Sequence, residues 1–167
     1  MHRPFVLVAA LVPLFAASAP AFAGDPPYLR LARDFGTPDL ASSSGPKDHS
    51  QMLLHFVRRG ENAAAWTKMT TVSIARVPSK DTDAATRTII GRFHARLVAT
   101  HVAIDTFDRS PIAPVTGYFI FHGKAEKDVG IIYSPRAGYV TVAQLGARGA
   151  GSISKTDIAH LRSVIGK

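Results

Sequence analysis

The sequence contains no cysteine. That excludes a thiolate nucleophile, a thiolate zinc site, an iron–sulfur centre, thiol redox chemistry, a disulfide framework and the lipidated cysteine of a bacterial lipoprotein. Carboxylates are also scarce, with 12 Asp and Glu against 20 Lys and Arg, so acid–base pairs have few possible members. There is one tryptophan, Trp66, and one asparagine, Asn62. No GxGxxG or GxSxG motif occurs: the tempting "GARGAGS" at 146–152 matches neither and reads as a flexible connection between a strand and a helix. No internal repeat is present, and long apolar runs are confined to the N-terminus.

That run, "PFVLVAALVPLFAA", follows a short basic start at His2 and Arg3 and is interrupted by proline. "AFA" at 21–23 supplies the small-x-small pattern of a signal peptidase site, with Gly24 as the expected mature start. The expectation is a cleaved signal peptide over 1–23, a periplasmic or secreted protein, and no transmembrane segment after cleavage. Loss of Arg3 lowers the formal charge from +8 to +7. Such a balance favours loose attraction to anionic envelope polymers or lipid. The basic residues are dispersed, and the densest pair is Arg58–Arg59, so the clustered cations interleaved with aromatics of a nucleic-acid module are missing.

Residues 24–48 are rich in Pro, Gly and Ser and read as a flexible leader, with Tyr28, Leu29 and Leu31 as its only apolar patch. A single domain is expected over 49–167. "QMLLHFV" suits a strand with Met52, Leu54 and Phe56 on one face. "RRGENAAAW" is a connection in which Asn62 could cap one helical turn. "TKMTTVSIARV" alternates, setting Met69, Thr71 and Ser73 against Thr70, Val72 and Ile74. "SKDTDAATRTIIGRFHARLVATHV" opens with Ser, Asp and Thr capping candidates and carries Ile90, Phe93 and Leu97 on one helical face, opposite Arg92, Ala95 and Ala99. After it come a short strand "AIDTF", a turn-rich loop "DRSPIAPVTG", and the strands "YFIFH", "DVGIIYS" and "YVTVAQLGA" joined by tight turns. A last helix, "SKTDIAHLRSVIG", begins with the capping-box pattern Ser154-x-x-Asp157, bears a stripe of Ile158, Leu161 and Ile165, and stops at Gly166. Short turns demand antiparallel pairing, and two amphipathic helices must bury their stripes on the sheet. The fold class is therefore α+β: a mainly antiparallel sheet packed with two helices.

Six histidines remain after His2. His94 and His101 share a helical face but stand two turns apart, roughly 10 Å, too far for a direct chelate. His101 reads as a partner of the helix dipole. His55 and His122 lie in or at the end of strands and would approach one another if those strands paired. Asp105 and Asp108 flank Phe107 beside a turn, where backbone capping competes with acid–base work. Candidate ligand-binding residues are thus His55, His122 and Trp66. Trp66 reads first as a bulky anchor where a loop enters a strand. No catalytic residue, cofactor or metal is assigned.

The stretch "RRGENAAAWTKMTTVSIAR", with "GIIYSPRAGYVTVAQLGAR" and "SKTDIAHLRSVI" in the same order, resembles exported proteobacterial proteins of uncharacterised role. In those, an N-W-T-x-M-x-T-V segment enters a strand after a small loop. They are similar in turn to the PsbP-like α/β/α sandwich. The resemblance covers roughly residues 50–166 and implies that fold and export. Ala65 stands where the pattern has asparagine, and the cysteines common in the relatives are missing. It carries over no catalytic residue. Three roles follow as expectations: a non-enzymatic binding or accessory module of the envelope, a hydrolase using histidine with Asp105 or Asp108, or a basic surface binding anionic lipid or polymer.

Overall fold

A computed structural model describes residues 40–44, 51–62, 64–110, 112, 114–134 and 138–165. Its elements are β1 (Leu40–Ser44), β2 (Gln51–Val57), β3 (Lys68–Arg76), α1 (Thr82–Ala99, preceded by a 3-10 turn at Ser79–Asp81), β4 (Ala103–Ser110), β5 (Thr116–His122), β6 (Glu126–Tyr133), β7 (Tyr139–Arg148) and α2 (Lys155–Ile165). The strands form one seven-stranded antiparallel sheet in the order β1-β2-β3-β7-β6-β5-β4. After β3 the chain crosses through α1 to the far edge, then returns strand by strand until β7 closes against β3.

The alternation of strand side chains assigns each helix a face. Along β7, Val140 and Val142 pack with Ile89, Ile90, Phe93 and Leu97 of α1, together with Ile132, Phe119 and Phe121. Their sequence neighbours Ala143 and Leu145 point the other way, into Leu161 and Val164 of α2 with Leu54, Phe56, Val72 and Ile74. The helices therefore lie on opposite faces, and β7 is buried on both. The α1 stripe fits the periodicity, with Arg92, Ala95 and Ala99 exposed as a one-sided helix requires; of the expected α2 stripe Leu161 is buried, Ile158 is half-buried, and Val164 joins Leu161 in the core. Phe93 and Phe119 sit with ring centroids 4.5 Å apart. Gly130 makes that stacking possible, because a Cβ there would fall 2.1 Å from the Phe119 ring and 2.7 Å from the Ala143 carbonyl oxygen.

Several local expectations need correction. Leu40–Ser44, inside the supposed leader, pair with β2 from Leu40↔His55 to Ser44↔Gln51, so the folded part reaches upstream of position 49. Backbone pairing at a sheet edge needs no apolar pattern, and "LASSS" shows none. Asn62 does cap a turn, accepting the amides of Ala64 and Ala65 at 2.9 Å, but the turn is closed by an Asn62↔Ala65 bridge rather than helical. β4 is eight residues, extending through Ser110 into the supposed loop. At the start of α1 no side chain of the N-cap residue Asp81 caps the helix. Instead the Thr82 hydroxyl accepts the Gly138 amide at 2.8 Å, tying the helix to the β6–β7 turn. His101 lies just past α1 with a left-handed φ of 54°, a conformation glycine adopts more cheaply. The α2 cap is as expected: Ser154 accepts the Asp157 amide at 3.1 Å and Asp157 accepts the Ser154 amide at 2.8 Å. The signal peptide, the Tyr28–Leu31 patch and Gly166 lie outside the described residues. Among those described, no helix is long and apolar enough to cross a membrane.

Candidate functional site

Sheet order decides the fate of the paired histidines. β3, β7 and β6 separate β2 from β5, so His55 and His122 do not meet. Each instead has its own partner. His55 is buried, and its Nδ1 lies 3.0 Å from the Thr71 hydroxyl. His122 Nδ1 lies 2.9 Å from Asp105 Oδ1. Asp105 interrupts the β4–β5 register between Ile104 and Thr106, and this bulge turns its carboxylate toward His122 rather than into a backbone cap. The pair is open to solvent, with side chains 50% and 37% exposed. Asp108 behaves as expected of a local cap, its carboxylate accepting the Arg109 amide at 2.8 Å. His94 packs on Phe107 at 4.5 Å, away from His101. Among the described residues, no group of three histidines or carboxylates is placed to hold a metal ion.

Trp66 is 3% exposed. The Arg148 guanidinium lies 4.3 Å above its ring, donates from Nε to the Trp66 carbonyl at 2.6 Å and from Nη2 to the Ala64 carbonyl at 2.9 Å. Glu61 grips the next residue, accepting the Thr67 amide at 3.0 Å and the Thr67 hydroxyl at 2.6 Å. Those two bonds hold the Glu61 carboxyl below its usual range. From the other side Gly151 approaches so closely that a Cβ would sit 2.0 Å from the Thr67 carbonyl oxygen. The loop before β3 is thus stitched down over the tryptophan, which acts as an anchor rather than an exposed ligand platform.

Two clusters escaped the sequence. The first is a buried polar row on the α1 side of the sheet. The register sets His55, Thr71 and Gln144 side by side across β2, β3 and β7, with Asp128 of β6 close by. Gln144 Nε2 donates to Asp128 Oδ1 at 2.8 Å, while Gln144 Oε1 has no hydrogen-bond partner among the described residues. Burial pushes the Asp128 carboxyl up to about 7, with Gln144 pulling the other way and Glu126 adding repulsion. The alternation Asp128, Gly130, Ile132 along β6 was the available signal that this carboxylate faces inward.

The second cluster forms an open cleft of about 210 Å³ where β2 ends, β3 begins and α2 starts. Phe56, Val57, Leu145 and Leu161 provide apolar surface, and Arg58, Lys68, Thr70, Asp157 and His160 provide polar groups. Lys68 donates to Asp157 at 2.7 Å across the cleft. Desolvation would raise the Asp157 carboxyl, but the bonds from Lys68 and from the Ser154 amide and hydroxyl outweigh it and bring it to about 2. Asp157 therefore fixes both the helix start and a strand 89 positions away in sequence. Its capping role was legible as Ser154-x-x-Asp157, whereas its ion pair depended on topology.

No family model and no curated protein matches the chain. The assignment of a site thus rests on geometry. In the cleft, apolar surface and convergent polar groups meet in a concavity, which is how small-ligand sites are built. His122–Asp105 has hydrogen-bond reach but lies on an exposed edge.

Proposed function

We propose that the chain is a non-catalytic binding or accessory module of the bacterial envelope, with the cleft between β2, β3 and α2 as its ligand seat. The observation that carries this reading is the combination in one open concavity of a four-residue apolar surface with Arg58, Lys68, Asp157 and His160. The signal-like N-terminus motivates the envelope location. Helices on opposite faces of an antiparallel sheet support the likeness to the PsbP-like sandwich, and a positively charged chain suits an envelope rich in anionic polymer. Fold alone does not assign function, so the cleft bears the weight of the argument.

The test is chemical-shift mapping of the purified protein against the low-molecular-mass fraction of an envelope extract. Saturable shifts gathered on Val57, Leu145 and Leu161 support the reading. An envelope fraction that leaves these residues unmoved removes it.

One observation favours a second reading. The 2.9 Å contact between His122 and Asp105 is the orientation a general base requires. A hydrolase using this pair would lose its activity in His122→Ala. Equal turnover by wild type and variant across a broad hydrolase screen eliminates it.

A further inference from the structure

The proposed ligand seat has an uneven charge balance. Two cationic side chains, Arg58 and Lys68, and the imidazole of His160 line the cleft with a single carboxylate, Asp157. The Asp157 charge is matched by Lys68 at 2.7 Å, and its Oδ2 also accepts the Ser154 amide and hydroxyl, each at 2.8 Å. The cation that remains is Arg58, an exposed residue whose carbonyl accepts the Glu61 amide at 2.9 Å but whose guanidinium has no hydrogen bond or ion pair among the described residues and is drawn only at longer range by Glu61. Below it lie Phe56, Val57, Leu145 and Leu161. A guanidinium at the mouth of an apolar concavity matches a carboxylate in its planar two-donor geometry better than it matches a point charge.

Resting on the binding reading above, we propose that the cleft takes a small amphiphilic carboxylate: one anionic head on Arg58 and a short apolar tail against Leu145 and Leu161. A cationic ligand would meet Arg58 and would have to compete with Lys68 for Asp157. A neutral alcohol would fill the apolar surface but leave the guanidinium without an anionic partner. The cleft, about 210 Å³ and open to solvent, has room for a tail of a few carbons.

The experiment titrates the full mature chain with hexanoate, hexanol and hexylammonium, following the Leu145 and Leu161 methyl resonances. Hexanoate is expected to bind with a dissociation constant of order 1 mM, the range open to so small a ligand, and at least fivefold more tightly than either analogue. Arg58→Gln should weaken hexanoate at least fivefold and leave hexanol unchanged, with an unaltered melting temperature because the side chain is exposed. N-acetyl-leucine, which mimics a peptide C-terminus, separates the two natural sources of such a carboxylate: tighter binding than hexanoate assigns the head to a peptide end, weaker binding to a short acyl chain. Equal binding of hexanol and hexanoate, preference for hexylammonium, or indifference to Arg58→Gln overturns the proposal. If hexanoate fails while the envelope fraction still shifts the same methyls, the ligand class falls and the binding reading stands. If neither moves them, both fall.

Discussion

Asp128 makes stability depend on pH in a direction opposite to that of most carboxylates. It is 4% exposed, receives one hydrogen bond from Gln144, and has Glu126 two residues away along the same strand. Burial sets its carboxyl at about 7 in the folded chain against an ordinary value of 3.8. A carboxyl raised on folding holds its proton more tightly in the folded state. Its contribution is therefore harmless in acid, becomes unfavourable as the pH rises above about 4, and reaches its full cost above about 7. The full gap corresponds to about 4 kcal/mol, of which roughly half or a little more falls between pH 5 and pH 8. Asp128→Asn keeps an acceptor for Gln144 and removes the ionisation. Urea unfolding followed by the fluorescence of the lone Trp66 should find the variant more stable than wild type, with an advantage that grows by about 2–3 kcal/mol from pH 5 to pH 8. An advantage independent of pH, or a variant less stable than wild type at pH 8, would refute the reasoning.

Trp66→Ala should cost about 3–5 kcal/mol in thermal or urea unfolding, as expected for a core aromatic whose partner Arg148 would lose its stacking surface; a loss below about 1 kcal/mol would place the ring outside the core. His101→Gly should raise stability by about 0.5–1 kcal/mol, because φ is 54° at a position glycine occupies without strain. Asp157→Ala removes the capping box and leaves Lys68 half-buried without its partner, so a loss of about 1–3 kcal/mol is expected at neutral pH. The Asp157 carboxyl is lowered on folding, so the stability it supplies is present above about pH 4 and lost as the pH falls toward 2. The wild-type and Asp157→Ala curves should therefore converge in acid.

Elements whose signal is local were legible: the helical stripe Ile90–Phe93–Leu97, the alternation of "TKMTTVSI" and the Ser154–Asp157 box all reappear where periodicity and capping chemistry put them. What failed to read through depends on partners distant in sequence. β1 is specified by backbone pairing to β2, which "LASSS" does not advertise. His122 finds Asp105 only because a bulge re-aims one residue, and Lys68 finds Asp157 only because β3 and α2 come together across the cleft. Gln144 and Asp128 became neighbours through the β6–β7 register. The candidate site was therefore the least legible part, since its members come from four separate elements, β2, β3, β7 and α2, and bear no shared spacing.

On the proposed reading the protein meets its ligand in the cleft and not at the His122–Asp105 edge. A crystal structure of the protein grown with the low-molecular-mass envelope fraction tests it directly. Density for an intact molecule seated against Leu145 and Leu161, with its polar head at Arg58, is the result expected. A molecule bound at His122 and Asp105 instead, with the cleft vacant, would contradict it.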